Sequence, residues 1–260
     1  MNEALLSLQD KPLLLAALCS ATGYLIGSVS SARIVYFLST GKSKIEPFAE
    51  VIPHSDEVFE SDLISATLVN KKLGAKYGCI TSLADMLKVA IPVLLTRIAF
   101  TSEPYFLLVA LFGVLGHNLP LYYGFKGGRG ESPIIGSLLV ISWTGFLLTN
   151  MASLVLGFIT GSVLVMRWGA YVLMPFWFWY QFNDWRYILF MVLLNIMYWF
   201  SMRKDLARFQ ELKERRGINF TEEEVSDFIL MGKTPGRMLD RYSLYAIIKR
   251  FTEKSRRDGK

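Results

Sequence analysis

The chain has 260 residues, of which 52% are hydrophobic and 14% aromatic, with a mean hydropathy of +0.35 and a net charge of +6. A helix that spans a bilayer needs roughly 20 mostly apolar residues, and several such runs are present, which excludes an ordinary soluble domain. The ten-residue alternation of an outer-membrane barrel is absent.

Residues 1–18, MNEALLSLQDKPLLLAAL, carry acidic residues and no basic region before a small-residue cleavage site. They read as the approach to a retained first span rather than a removed signal peptide. That span covers about 12–39, and its Gly, Ser and Ala content suits close helix packing in lipid. A polar stretch follows over about 41–77. The second span, about 78–100, contains Asp85 and Lys88, which stand three apart and can pair on one helix face. The third, about 105–123, runs directly into GHNLPLYYGFKGGRGES at 116–132.

From 133 to 202 the chain is almost continuously apolar, broken only at Arg167 and at NDWR, 183–186. That length threads a bilayer three or four times, and we read four somewhat short spans. The aromatics of MPFWFWYQFNDWRY fit a belt at the membrane interface. The tail, 203–260, holds fifteen Lys and Arg against ten Asp and Glu. Its RKDLARFQELKERR reads as an amphipathic helix, and FTEEEV as a helix start with a threonine cap. The expectation is an all-α polytopic membrane protein of about seven transmembrane helices, with a membrane domain at 1–202 and a basic helical tail at 203–260. Basic residues in the loops favour an N-terminus outside and a cytoplasmic tail in the plasma membrane. The 41–77 loop and the 116–131 loop then share the cytoplasmic face.

The glycine loop has chemistry of its own. Glycines allow backbone N–H groups to approach an anion closely. Lys126 and Arg129 add charged donors, and a helix starting near Glu131 would point its positive end at the same place. A basic turn that only sets topology explains the same residues. His117, one turn earlier, is a candidate for orienting a group or handling a proton, and a structural histidine fits equally. The Walker pattern is absent, so nucleotide is not expected, nor is nucleic acid. With two cysteines and two histidines in the whole chain, neither a metal nor another cofactor is expected.

GHNLPLYYGFKGGRG resembles GHxxPxFxxFKGGKG of the bacterial PlsY family, the membrane acyl-phosphate:glycerol-3-phosphate acyltransferases, with Arg129 in place of a lysine. YLIGSVSSARIVYFLSTG is similar to the family's first helix. SDLISATLVNKKLGAKYG is similar to its SGNxGATNxxRxxGxxxG motif, and LADMLKVAIPVLL to xxDxxKGxxPVxL. Leu63 and Leu68 replace asparagines and Lys71 replaces an arginine. Of the family's third motif little remains, with Met202 where a histidine would stand and Asp205 where an asparagine would.

The resemblance implies transfer of an acyl group from acyl phosphate to glycerol-3-phosphate, giving lysophosphatidic acid. It implies catalytic roles for Ser61, Lys71 and His117. It implies substrate binding by Lys126, Gly127, Gly128, Arg129 and Gly130, with membrane lipids around them. A non-catalytic relative that binds a phosphorylated lipid precursor, or acts as a scaffold, is the alternative. A small transporter is a third reading, against which stands the lack of an inverted repeat of broken helices.

Overall fold

The computed structural model describes residues 11–46, 48–51, 58–61, 64–216, 220–228 and 232–258. Their architecture is helical, with α1 at Pro12–Gly27 and α2 at Ser31–Thr40. An antiparallel hairpin follows, β1 at Phe48–Val51 and β2 at Val58–Ser61, with Phe48 opposite Ser61. Next come α3 at Ala66–Leu73, α4 at Ala75–Ala99 and α5 at Tyr105–Asn118, then a 3-10 turn at Leu121–Tyr123. The remaining helices are α6 at Glu131–Thr160, α7 at Val163–Phe182, α8 at Trp185–Arg216, α9 at Glu222–Phe228, α10 at Lys233–Tyr242 and α11 at Leu244–Asp258.

Among the described residues, five helical stretches are long and apolar enough to cross a membrane: Pro12–Thr40, Ala75–Ala99, Tyr105–Tyr123, Glu131–Thr160 and Trp185–Arg203. The apolar stretch read as four short spans holds three helices, α6, α7 and α8. The longest of the apolar segments, α6, is interrupted at Ser142, whose backbone is non-helical (φ −156°, ψ 83°). A break inside a bilayer frees carbonyls that need a donor. Arg97 of α4 supplies it, donating to the carbonyls of Val140 and, at 3.3 Å, Ile141. The first span also has a break, between α1 and α2, where Ser30 caps α2 by accepting from Arg33 N.

The chain divides into two compact units. The first comprises residues 1–141 and 196–201. Here α1 and α5 pack backbone to backbone: a Cβ on Gly27 would fall 2.8 Å from Gly113 C, and one on Gly116 would fall 2.8 Å from Ser28 N. Gly23 meets Val109 in the same way. Small residues at helix interfaces are how helices approach this closely in lipid. The polar stretch after α2 is less open than its composition suggests. Besides the hairpin, it contributes Ile45, Ile64, Leu68 and Val69, which bury themselves with Ala32 of α2.

The second unit comprises 142–195 and 202–260. RKDLARFQELKERR continues α8 rather than starting a helix of its own. Thr221 caps α9: its Oγ1 accepts from Glu224 N (3.2 Å) while Glu224 Oε2 accepts from Thr221 N (2.8 Å). Asp240 of α10 accepts from the N–H groups of Glu222 (3.2 Å) and Glu223 (2.9 Å). Glu222 in turn accepts from Val163 N at the start of α7 (2.7 Å). Val163, Val225 and Leu239 close a small buried cluster beneath these bonds.

Candidate functional site

The candidate site lies in the first unit, where α5 ends and α6 begins. The chain leaves α5 at Asn118, makes the 3-10 turn and bends through Gly124 (φ +60°) and Phe125 (φ +61°). It then folds back on the helix it has just left. Gly128 N donates to His117 O (3.1 Å), and Gly127 O accepts from Ile64 N (3.2 Å). A Cβ on Gly127 would fall 2.6 Å from Pro120 Cδ and 2.7 Å from Asn118 O. On Gly128 it would strike the His117 ring at Nε2, and Gly130 sits at φ +86°. The glycines are therefore demanded first by packing. Gly128 N–H is committed to His117, whereas the N–H groups of Gly127 and Gly130 have no protein acceptor among the described residues. These two remain able to face an anion, and α6 starts at the next residue, Glu131.

The basic residues of the loop divide. Lys126 is exposed at its tip, whereas Arg129 is buried at 7% exposure. A third cation, Arg33 of α2, reaches the loop: its Nη2 donates to Lys126 O (3.4 Å), and its guanidinium lies 4.6 Å over the Tyr123 ring. Arg33 was legible only as a lone charge in an apolar run, and no motif pointed to it.

Beneath the loop is a buried polar cluster. Asp85 and Lys88 of α4 pair at 2.8 Å, as their spacing predicted, but the pair does not stand alone. Lys88 Nζ also donates to Val29 O (2.6 Å) and lies 3.1 Å from His117 Nδ1. Asp85 Oδ1 is 3.4 Å from the same ring nitrogen. Nδ1 therefore faces both an ammonium and a carboxylate, while Nε2 is the atom turned toward Gly128. The cluster thus fixes the orientation of the histidine ring and turns its Nε2 edge to the loop.

The other expected residues are less closely tied to this centre. Ser61 ends β2, and its side chain lies outside the described residues, as does Leu63. Three positions on, Ile64 is bonded to Gly127, which anchors this segment to the loop. Lys71 is exposed on α3. Ser82 and Ser132 hydroxyls meet at 2.9 Å, joining α4 to the first turn of α6. Asn118 Nδ2 donates to Ser201 Oγ (2.9 Å). Together these contacts hold the loop from several sides, a pre-organised frame suited to binding a charged group rather than to supplying a nucleophile.

Residues 17–211 match the family model described as glycerol-3-phosphate acyltransferase. The glycerol-3-phosphate acyltransferase of Lactiplantibacillus plantarum is 28% identical, over 71% of this chain and 84% of that protein. That of Mycoplasma capricolum subsp. capricolum is 29% identical, over 71% of this chain and 76% of that protein. In fold the chain is similar to crystal structures of PlsY (YgiH), an integral membrane glycerol 3-phosphate acyltransferase. Its glycerol 3-phosphate form gives a TM-score of 0.60 at 22% identity, and its lysophosphatidic acid form 0.59 at 21%. Both alignments cover 75% of this chain and 92% of the solved one.

Proposed function

Because the chain belongs to the glycerol-3-phosphate acyltransferase family, we propose that it acylates glycerol-3-phosphate in phospholipid synthesis, with acyl phosphate as donor. An acyl phosphate is a mixed anhydride with a good leaving group, so the enzyme needs no covalent intermediate. The glycerol hydroxyl attacks the acyl carbonyl, the carbonyl–phosphate C–O bond breaks and inorganic phosphate leaves. The hydroxyl proton passes to the departing phosphate or to solvent. The products are lysophosphatidic acid and phosphate.

What the protein must do is hold two phosphates together against their repulsion and align hydroxyl with carbonyl. The observation that carries this reading is the Lys126–Gly130 loop, folded against His117 at the start of α6. Lys126, Arg129 and the N–H groups of Gly127 and Gly130 bind the phosphate of glycerol-3-phosphate. His117, through Nε2, orients a phosphate oxygen or the attacking hydroxyl, with Lys88 as its positioning residue. Ser61 and Lys71 serve the acyl phosphate, a role that rests on their match to the family's first motif.

The site faces the cytoplasm of the plasma membrane in this reading, with the N-terminus outside. The basic loops support that orientation. Seven crossings require the two halves of α6, divided at Ser142, to count separately, together with α7.

The test is purified protein supplied with glycerol-3-phosphate and, in parallel, acyl phosphate, acyl-CoA and acyl carrier protein donors. Lysophosphatidic acid should form from acyl phosphate. Well-folded protein that forms it from no donor sinks the proposal, and formation only from a thioester replaces the donor.

A further inference from the structure

The last helix, α11, carries a surface that the glycine loop does not need. Leu244, Ile247, Ile248 and Phe251 are all exposed, Phe251 to 71%. They stand at i, i+3, i+4 and i+7, one apolar stripe along the helix. Tyr245 is exposed beside them. At about 100° per residue, Lys249 and Arg250 fall on the opposite half of the helix, one toward each flank of the stripe. Over 249–257 the sequence has five basic residues, Lys249, Arg250, Lys254, Arg256 and Arg257, against the single acid Glu253.

The start of this helix is fixed at the end of a candidate membrane span. Thr160 ends the apolar helix Glu131–Thr160, and Gly161 follows at φ +67°. A Cβ on Gly161 would lie 3.0 Å from both Ser243 Oγ and Tyr245 Cβ, so the first turn of α11 rests on that span's end. The attachment is held from the other side by the chain of bonds from Asp240 through Glu222 to Val163 N. Arg250 Nη2 donates to Asp240 O (2.9 Å), binding α11 itself to α10. The end of a spanning helix lies at the bilayer surface, so a stripe of exposed Leu, Ile and Phe begins where headgroups meet acyl chains.

We propose that α11 lies in the plane of the membrane surface. Its apolar stripe sinks into the headgroup–acyl boundary and its basic flanks contact anionic lipid headgroups. Apolar burial and attraction to anionic lipid act together in such helices, whose apolar face typically enters by about 5–10 Å. Charge decides against a second copy of the chain as the occupant. Pairing two stripes would bring two basic rims together, whereas anionic headgroups neutralise them. The proposal concerns the tail and the bilayer and stands independently of the acyl donor.

The experiment uses the full chain with Cys19→Ala and Cys79→Ala, carrying a nitroxide at Phe251→Cys, Leu244→Cys or Lys249→Cys. Each is reconstituted in phosphatidylcholine vesicles with and without phosphatidylglycerol. Power-saturation EPR then compares collisions with oxygen and with a water-soluble nickel chelate. In vesicles with phosphatidylglycerol, the labels at 251 and 244 should meet the nickel chelate severalfold less than the label at 249. That protection should shrink without phosphatidylglycerol or in high salt. Equal nickel access at 251, 244 and 249 overturns the proposal. Equal protection in both vesicle types removes anionic lipid from it, and protection that grows with the protein-to-lipid ratio assigns the stripe to a second copy.

Discussion

Replacing Lys88 by methionine keeps most of the side-chain volume and removes one ammonium from a buried site. That ammonium has three partners: Asp85 Oδ1 at 2.8 Å, Val29 O at 2.6 Å and His117 Nδ1 at 3.1 Å. Without it the Asp85 carboxylate, 2% exposed, keeps among the described residues His117 as its ion-pair neighbour, at 3.4 Å. Removing one member of a buried pair costs about 3–5 kcal/mol, because the other charge is left uncompensated. For a chain of this size each kcal/mol moves the melting midpoint by about 2–4 °C, so a fall of roughly 6–20 °C is expected. The double variant Asp85→Asn/Lys88→Met removes both charges and should recover most of that loss. Thermal unfolding in detergent measures the stabilities, and formation of lysophosphatidic acid by the same samples measures turnover. If Lys88 orients His117, the double variant is stable yet slow. A single variant that melts within about 2 °C of wild type would refute the buried-pair argument. A double variant with wild-type turnover would reduce the cluster to packing.

Lys126→Ala, at an exposed position, should leave melting unchanged and raise the KM for glycerol-3-phosphate about ten- to a hundredfold, the worth of one charge-assisted contact; an unchanged KM removes Lys126 from the site. Gly130→Ala forces a side chain to φ +86° with its Cβ 3.0 Å from Val114 Cγ1, so it should lose about 1–3 kcal/mol of stability along with activity, and normal melting would contradict the packing role. Cysteines at Lys126 and Lys249 should label from the same side of sealed membranes and one at Ser102 from the other, whereas opposite labelling of 126 and 249 rules out the proposed topology. Burial raises the pKa of Glu222 above the ordinary glutamate value, with Asp240 adding to the rise. Its stabilising contribution is therefore full below the unfolded pKa and is lost as pH rises through the folded one. Glu222→Gln keeps an acceptor for Val163 N without the charge, so it should match wild type in acid and melt higher near neutral pH. A variant that melts lower at every pH would show that the charge itself holds the clip.

The membrane class, the glycine loop and the pairing of Asp85 with Lys88 could be read from the sequence, because each depends on local spacing: apolar run length, a dense glycine cluster, a three-residue separation. The purpose of the glycines was only half legible. Small residues announce a close approach, but not whether a ligand or the chain's own backbone makes it, and here His117 and Asn118 occupy much of the space. The addition of His117 to the Asp85–Lys88 pair was hidden because it joins different helices. Arg33 at the loop was hidden for the same reason. The interruption of α6 carries no proline or glycine at Ser142, and its stabilising partner, Arg97, lies more than forty residues earlier. The role of α8 as one helix running into the tail was also obscured, since its apolar and charged halves differ so sharply in composition.

The backbone contact between α1 and α5 bears on how loss-of-function variants in this protein should be interpreted. The helix that carries His117 has no slack against its neighbour at Gly23, Gly27 and Gly116. Even alanine at these sites would have to push the two helices apart. Because Gly127 and Gly128 lean on the last turn of α5, such a displacement would travel to the loop without touching any group that meets substrate. A saturation scan scored by cell growth would therefore mark these three buried positions as intolerant as a binding residue. Only measuring protein abundance beside growth would separate a broken scaffold from a lost contact.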